Sequence, residues 1–257
     1  MFKRLVIAAS LSASALLTGP ATAQSAPFDS AQDGGAPLHR DLVLPYLLQL
    51  PDDSLKAAEH APLIILLHGR GSNEADLFSL RDALPKQYAI VSARAPGVLG
   101  DDSYEWFESV APNGRLDGDP ISLRQSTASI EQLRQQLIDK YHFDPRRVYL
   151  VGFSQGAIMS YEVALTDPKA FRGIGVMSGA FFDSLAPHVS ASPSLKPLRI
   201  FISHGDADTV IPVAYEHEAV SRLQALGLRP EAHVYRGMSH EIRPDALRDL
   251  VAWLSAQ

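Results

Sequence analysis

The chain has 257 residues, 46% of them hydrophobic, 20% charged and 8% aromatic, with a formal net charge of −6 at pH 7. That is ordinary globular composition with length enough for one large core, and the acidic balance without any Lys/Arg stripe excludes a nucleic-acid binder or a protein held to an anionic membrane surface. Cysteine is absent, which excludes disulfide bracing, thiol catalysis and thiolate metal sites.

Lys3 and Arg4 precede an apolar run, Leu5 to Leu17, and Ala21-Thr22-Ala23 follows as an A-x-A signature. The run falls short of the ~20 apolar residues that a membrane span needs. Residues 1–23 therefore read as a signal peptide cleaved after Ala23, leaving an exported protein, periplasmic or secreted, with no membrane span. Cleavage would remove two basic residues and no acid, taking the charge from −6 to −8. Residues 24–40 are rich in Ser, Ala, Asp, Gly and Pro and read as a flexible mature N-terminus. Residues 41–257 read as a single domain.

Leu42 to Pro51 is edge-strand material, because Pro45 cannot donate to a ladder. Leu63 to Leu67 is an unbroken apolar run, as expected of a parallel strand covered on both faces. The loop His68-Gly69-Arg70-Gly71-Ser72-Asn73 follows, and Ser72 or Asn73 caps a helix expected to run through Leu84. Ala89 to Ala93 is another short strand. Residues 94–121 form a long irregular segment, rich in Gly and Pro but carrying Tyr104, Trp106 and Phe107. Loops of that length inside a compact domain are mostly functional. From Ser122 to Tyr141, Leu123, Ile130, Leu133, Leu137 and Tyr141 recur at helical spacing.

The stretch from Arg147 to Phe153 reads as a buried strand, and Gln155 to Leu165 as a helix. Between them lies Gly152-Phe153-Ser154-Gln155-Gly156, a G-x-S-x-G at a strand-to-helix corner. Such a corner strains the central residue and lifts its hydroxyl out of the sheet, over a helix N-terminus, which suits a nucleophile whose attack creates an oxyanion. The remaining elements are a strand at Gly173 to Met177, an irregular segment at 178–197, a strand at Leu198 to Ser203, a helix at Val213 to Leu226, a strand at Glu231 to Arg236 and a closing helix at Pro244 to Leu254. Strands alternating with helices make an α/β fold: a mostly parallel central sheet with helices on both faces and a site at the carboxyl ends of its strands.

Two of those strand ends carry chemistry. His204-Gly205-Asp206-Ala207-Asp208 follows one, and Gly237-Met238-Ser239-His240 the other. The order Ser154, Asp208, His240 is that of α/β-hydrolases. Ser154 is expected as nucleophile, His240 as the base that takes its proton, and Asp208 as the acid that orients the imidazole. Asp206 is the competing acid, better placed to brace its own turn. His204 and His68 end strands and are expected to be packed or hydrogen-bonded beside the site. One oxyanion donor is expected from the N–H of Gln155 and a second from the loop His68 to Gly71. No His/Asp/Glu set has metal-ligand spacing, so no metal is assigned.

Together His68-Gly69-x-Gly71, Trp106-Phe107, Gly152-Phe153-Ser154-Gln155-Gly156, His204-Gly205-x-x-Asp208 and Gly237-x-x-His240 resemble the phospholipase/carboxylesterase family of α/β-hydrolases, from about Tyr46 to Trp253. The resemblance implies the α/β-hydrolase fold and serine-ester hydrolysis without a cofactor. It assigns the triad to Ser154, Asp208 and His240 and the oxyanion N–H groups to Arg70 and Gln155. It also implies substrate contacts at Gly69, Gly71, Trp106 and Phe107, although the two aromatics could equally be packed loop anchors. By the same resemblance, the thioesterase branch usually has an apolar residue at the position of Arg70, so the charge here argues against long-chain lipids. The expectation is an exported carboxylesterase for small to medium esters. A thioesterase or lysophospholipase, a polyester depolymerase and a peptidase are alternatives on the same scaffold, and a non-catalytic binding module is the remaining one.

Overall fold

The protein is described here from a computed structural model covering residues 35–51 and 59–257. The expected signal peptide, and residues 24–34 of the expected flexible segment, lie outside the described residues.

Seven strands form the central sheet. They are β1 (Tyr46–Gln49), β2 (Leu63–Leu67), β3 (Ala89–Ala93), β8 (Val148–Phe153), β9 (Gly173–Met177), β10 (Arg199–Gly205) and β11 (Glu231–Tyr235). Their spatial order is β1-β3-β2-β8-β9-β10-β11. Every neighbouring pair is parallel except β1, which pairs antiparallel with β3 at the edge. The edge position fits Pro45, which immediately precedes β1 and whose carbonyl accepts from Arg94 N at 2.9 Å.

Side-chain alternation in β2 shows why its sequence is apolar without a break. Leu63, Ile65 and Leu67 enter one core with Ile130, Leu133 and Leu137 of α2 (Pro120–Tyr141) and Ala157 and Tyr161 of α3 (Gln155–Thr166). Ile64 and Leu66 enter the opposite core with Leu77 and Phe78 of α1 (Glu74–Phe78) and Leu250 and Trp253 of α5 (Pro244–Ser255). A strand covered on both faces has no polar face to present. The remaining helix, α4 (Ala214–Ala225), adds Ala219 and Leu223 to the first core.

Helix α1 is shorter than expected. Asn73 does cap it, its Oδ1 accepting from Ala75 N at 2.9 Å. After Phe78 the chain tightens into a 3₁₀ turn, Ser79–Asp82, where the Ser79 hydroxyl donates to Asp76 O at 2.6 Å. Pro85 bars any helix beyond. The irregular segment 94–121 also has more structure than its composition suggests. It holds two small antiparallel ladders, β4 (Gly97–Gly100) with β5 (Ser103–Glu105), and β6 (Ser109–Val110) with β7 (Asp117–Gly118). Among the described residues no helix is long and apolar enough to cross a membrane.

Candidate active site

Three loops leaving the carboxyl ends of β8, β10 and β11 converge. Ser154 sits at the corner between β8 and α3 with φ 54° and ψ −118°, a left-handed conformation that costs energy for any residue with a side chain. The glycines on either side make the corner possible by close approach. A Cβ on Gly152 would lie 2.1 Å from Gly156 O, and one on Gly156 would lie 1.9 Å from Leu67 O. Gly205 does the same for the other two loops, where a Cβ would lie 1.9 Å from Met238 O. Without it the turn carrying Asp208 and the turn carrying His240 could not meet.

The side chains form one hydrogen-bonded line. His240 Nδ1 is 2.7 Å from Asp208 Oδ2, and His240 Nε2 is 2.9 Å from Ser154 Oγ. An ionised carboxylate only accepts, so Nδ1 carries the proton and Nε2 offers its lone pair to the serine hydroxyl. Asp208 Oδ1 is held separately by the amides of Val210 and Ile211, each at 2.9 Å. Burial alone would raise the Asp208 carboxyl. The His240 hydrogen bond and the two amides outweigh burial and hold the group below its ordinary value. The Asp208 side chain is fully buried and that of His240 16% exposed, so the line runs from interior to surface. The Phe153 ring leans on the His240 ring at 4.8 Å and limits its rotation.

The competing residues fall into supporting places. Asp206 Oδ1 accepts from Gly237 N at 2.6 Å, joining its turn to the His240 loop rather than to the imidazole. His204 is fully buried. Its Nε2 donates to Ile211 O at 2.7 Å and lies 3.5 Å from Asp208 Oδ2, and burial keeps its pKa down and the ring neutral. His68 is also fully buried, its pKa lowered to about 4 chiefly by desolvation. Its Nε2 accepts from Ala95 N at 3.1 Å, so Nδ1 carries the proton and donates to Gly69 O at 2.7 Å.

The loop after β2 passes beside the serine. A Cβ on Gly69 would sit 3.4 Å from Ser154 Cβ, so the backbone at Gly69 lies against the serine corner. Gly71 N donates to Tyr104 O at 2.8 Å, Tyr104 N to Ser72 O at 3.0 Å, and Ser103 Oγ to Gly71 O at 3.1 Å. The loop is thus stitched to β5, and the Gly71 N–H is already used. The N–H of Arg70 has no partner among the described residues. Gln155 N opens α3, where no preceding turn offers it an acceptor. The Arg70 side chain pairs with Glu105, Nε to Oε2, at 2.9 Å.

Trp106 and Phe107 do not line a groove. Both are 1% exposed, and their rings pack in the core, which makes them anchors of the irregular segment and leaves them no free face for a substrate. Ser103 and Tyr104 as supports of the loop after β2, and the Gln155 side-chain amide as a hold on the 106–107 backbone, were not legible in the sequence. Their bonds join residues more than thirty positions apart, and no local pattern marks them. Among the described residues no group of three or more His, Asp or Glu side chains is arranged to hold a metal ion.

Comparison with known proteins supplies the family. Residues 54–257 match the family profile described as phospholipase/carboxylesterase. An acyl-protein thioesterase 1 of Mycosarcoma maydis is 29% identical over 214 residues, which span 74% of this chain and 89% of the relative. A probable carboxylesterase of Oryza sativa subsp. japonica is 28% identical over 77% of this chain and 78% of its own length. The crystal structure of esterase PE8 superposes with a TM-score of 0.70 at 28% identity, over 84% of this chain and 98% of that one. With a parallel α/β sheet, a strained serine corner and a family match over most of its length, the chain belongs to the phospholipase/carboxylesterase family of α/β-hydrolases and is a serine ester hydrolase.

Proposed function

We propose that the chain is an exported carboxylesterase that cleaves small to medium carboxylic esters through a Ser154–His240–Asp208 triad and an acyl-enzyme. The observation that carries the reading is the line from Asp208 Oδ2 to His240 Nδ1 at 2.7 Å and from His240 Nε2 to Ser154 Oγ at 2.9 Å. Ser154 Oγ attacks the ester carbonyl as His240 Nε2 takes its proton. The oxyanion rests between the N–H groups of Arg70 and Gln155. The alcohol leaves with the proton from His240, and a water activated by the same imidazole then releases the acid. Asp208 stays ionised throughout and stabilises the imidazolium.

The preference for shorter chains rests on the Arg70–Glu105 pair, with side chains 47% and 17% exposed, at the loop after β2. Burying an alkyl tail against it would strip water from two charges. Export rests on the N-terminal pattern of Lys3, Arg4 and Ala21-Thr22-Ala23. A second reading is a thioesterase, favoured by the acyl-protein thioesterase relative. The acyl-enzyme route is the same and only the leaving atom differs.

Ser154→Ala is expected to abolish both p-nitrophenyl butyrate hydrolysis and fluorophosphonate labelling; an unchanged rate would end the proposal. An acyl series run as matched oxygen esters and thioesters separates the two readings, with kcat/KM expected to fall beyond medium chain length. Expression with its N-terminus intact should yield exported protein beginning at Gln24. Full-length protein retained in the cytoplasm would remove the export claim alone.

A further inference from the structure

The two N–H groups assigned to the oxyanion belong to separate elements, the loop after β2 and the start of α3, and some contact must fix the distance between them. We propose that Trp106 is the positioning residue that does so. The proposal rests on the oxyanion assignment above.

Both of its N–H groups point to this role. Trp106 Nε1 donates to His68 O at 2.9 Å, and Trp106 N donates to Gln155 Oε1 at 2.9 Å. Gln155 in turn sends Nε2 to Phe107 O at 2.8 Å, so its side chain grips the 106–107 backbone at two points. The carbonyl of Trp106 is taken by the Ser126 hydroxyl of α2. One buried residue therefore touches the element that carries each donor, and is itself tied to a helix that carries neither.

Peptide geometry shows how the grip reaches the reacting end. The N–H of Arg70 and the C=O of Gly69 belong to one trans peptide and point in opposite directions. His68 Nδ1–H holds Gly69 O at 2.7 Å, which aims the Arg70 N–H away from the imidazole. The peptide just before it is fixed by Trp106 Nε1 on His68 O. Two successive peptide planes are thus set by ring N–H donors, one from His68 and one from Trp106. Between them lies Gly69, which has no side chain of its own to hold its backbone. A loop anchor acting by bulk alone would need the area of an indole and none of these bonds.

The test replaces the donor and keeps the shape. Trp106 is changed to 3-benzothienylalanine, which puts sulfur where the indole has N–H, and in parallel to Phe. The expected result is a 10- to 100-fold fall in kcat with KM changed less than threefold, a parallel loss of affinity for a boronic acid that mimics the tetrahedral intermediate, and an unshifted pH profile. A kcat within twofold of the parent in the benzothienyl variant overturns the proposal. So does a loss shared equally between kcat and KM. If Trp106→Phe fails to fold, the benzothienyl variant decides. Ser154→Ala is run beside them. If it remains active, the site assignment falls; if it is inactive while the benzothienyl variant matches the parent, only the role of Trp106 falls.

Discussion

Replacing Asp208 by Asn tests the triad without emptying any space. The two carboxylate oxygens have different partners: Oδ1 accepts from Val210 N and Ile211 N, each at 2.9 Å, while Oδ2 accepts from His240 Nδ1 at 2.7 Å. An Asn side chain keeps both backbone bonds only if its oxygen takes the Oδ1 place, which turns its NH₂ toward His240. The opposite orientation aims NH₂ at two backbone donors and leaves both unpaired, at about 1–3 kcal/mol each. The favoured amide donates to His240 Nδ1, so the imidazole proton moves to Nε2, which faces Ser154 at 2.9 Å. That nitrogen then has no lone pair for the serine proton. The expected loss in kcat is about 10⁴-fold, the size known for this substitution in a serine protease triad, or roughly 5.5 kcal/mol of barrier. Steady-state hydrolysis of p-nitrophenyl butyrate measures it, with circular dichroism and a melting curve to show that the fold is retained. A folded Asn variant keeping more than about a tenth of the parent rate would refute the tautomer argument.

Other expectations concern the frame around the site. The Glu162 carboxyl is raised from 4.5 to about 7, first by burial and then by the charge of Asp117, and its Oε1 is sealed from water without a partner. The folded state therefore holds this proton through a window in which the unfolded state has released it. Stability falls as pH rises from 4.5 to about 7, by ~3 kcal/mol in all. Glu162→Gln removes that titration, so its gain in melting temperature over the parent should grow across the window and then level; an equal gain at both ends would refute it. Glu74 and Arg94 pair at 7% and 12% side-chain exposure, and Arg94 also donates to Tyr104 OH at 2.8 Å. Glu74→Gln leaves the Arg94 guanidinium only the longer, exposed ion pair with Asp102 Oδ1 at 3.6 Å and should cost about 2 kcal/mol in urea unfolding, with a loss below about 0.5 kcal/mol contradicting the reasoning. Gly205→Ala places a Cβ 1.9 Å from the backbone at Met238 O, which no rotamer relieves. Its melting temperature and hydrolytic rate should both fall sharply, and an unchanged protein would show that the two loops are free to separate.

The parts of this protein legible in its sequence are those written in local order. The unbroken run Leu63 to Leu67, the helical stripe from Leu123 to Tyr141 and the glycine-flanked corner at Ser154 each state their element within a few residues, because side-chain period and the absence of a Cβ act locally. The chain order of Ser154, Asp208 and His240 placed the three residues at strand ends, and their convergence follows from the parallel sheet that the same alternation implies. What tertiary structure alone decided is which atoms meet. Asp208 rather than Asp206 reaches the imidazole because Asp206 is turned to Gly237 N. Trp106 and Phe107, for which the sequence left substrate contact and packed loop anchor equally open, lie inside, since burying two large rings outweighs displaying them and Trp106 has acceptors waiting on His68 and Gln155. Those bonds span 38 and 49 positions along the chain. A sequence records which groups can donate and accept, but partners so far apart are chosen only when the whole sheet has brought them within reach.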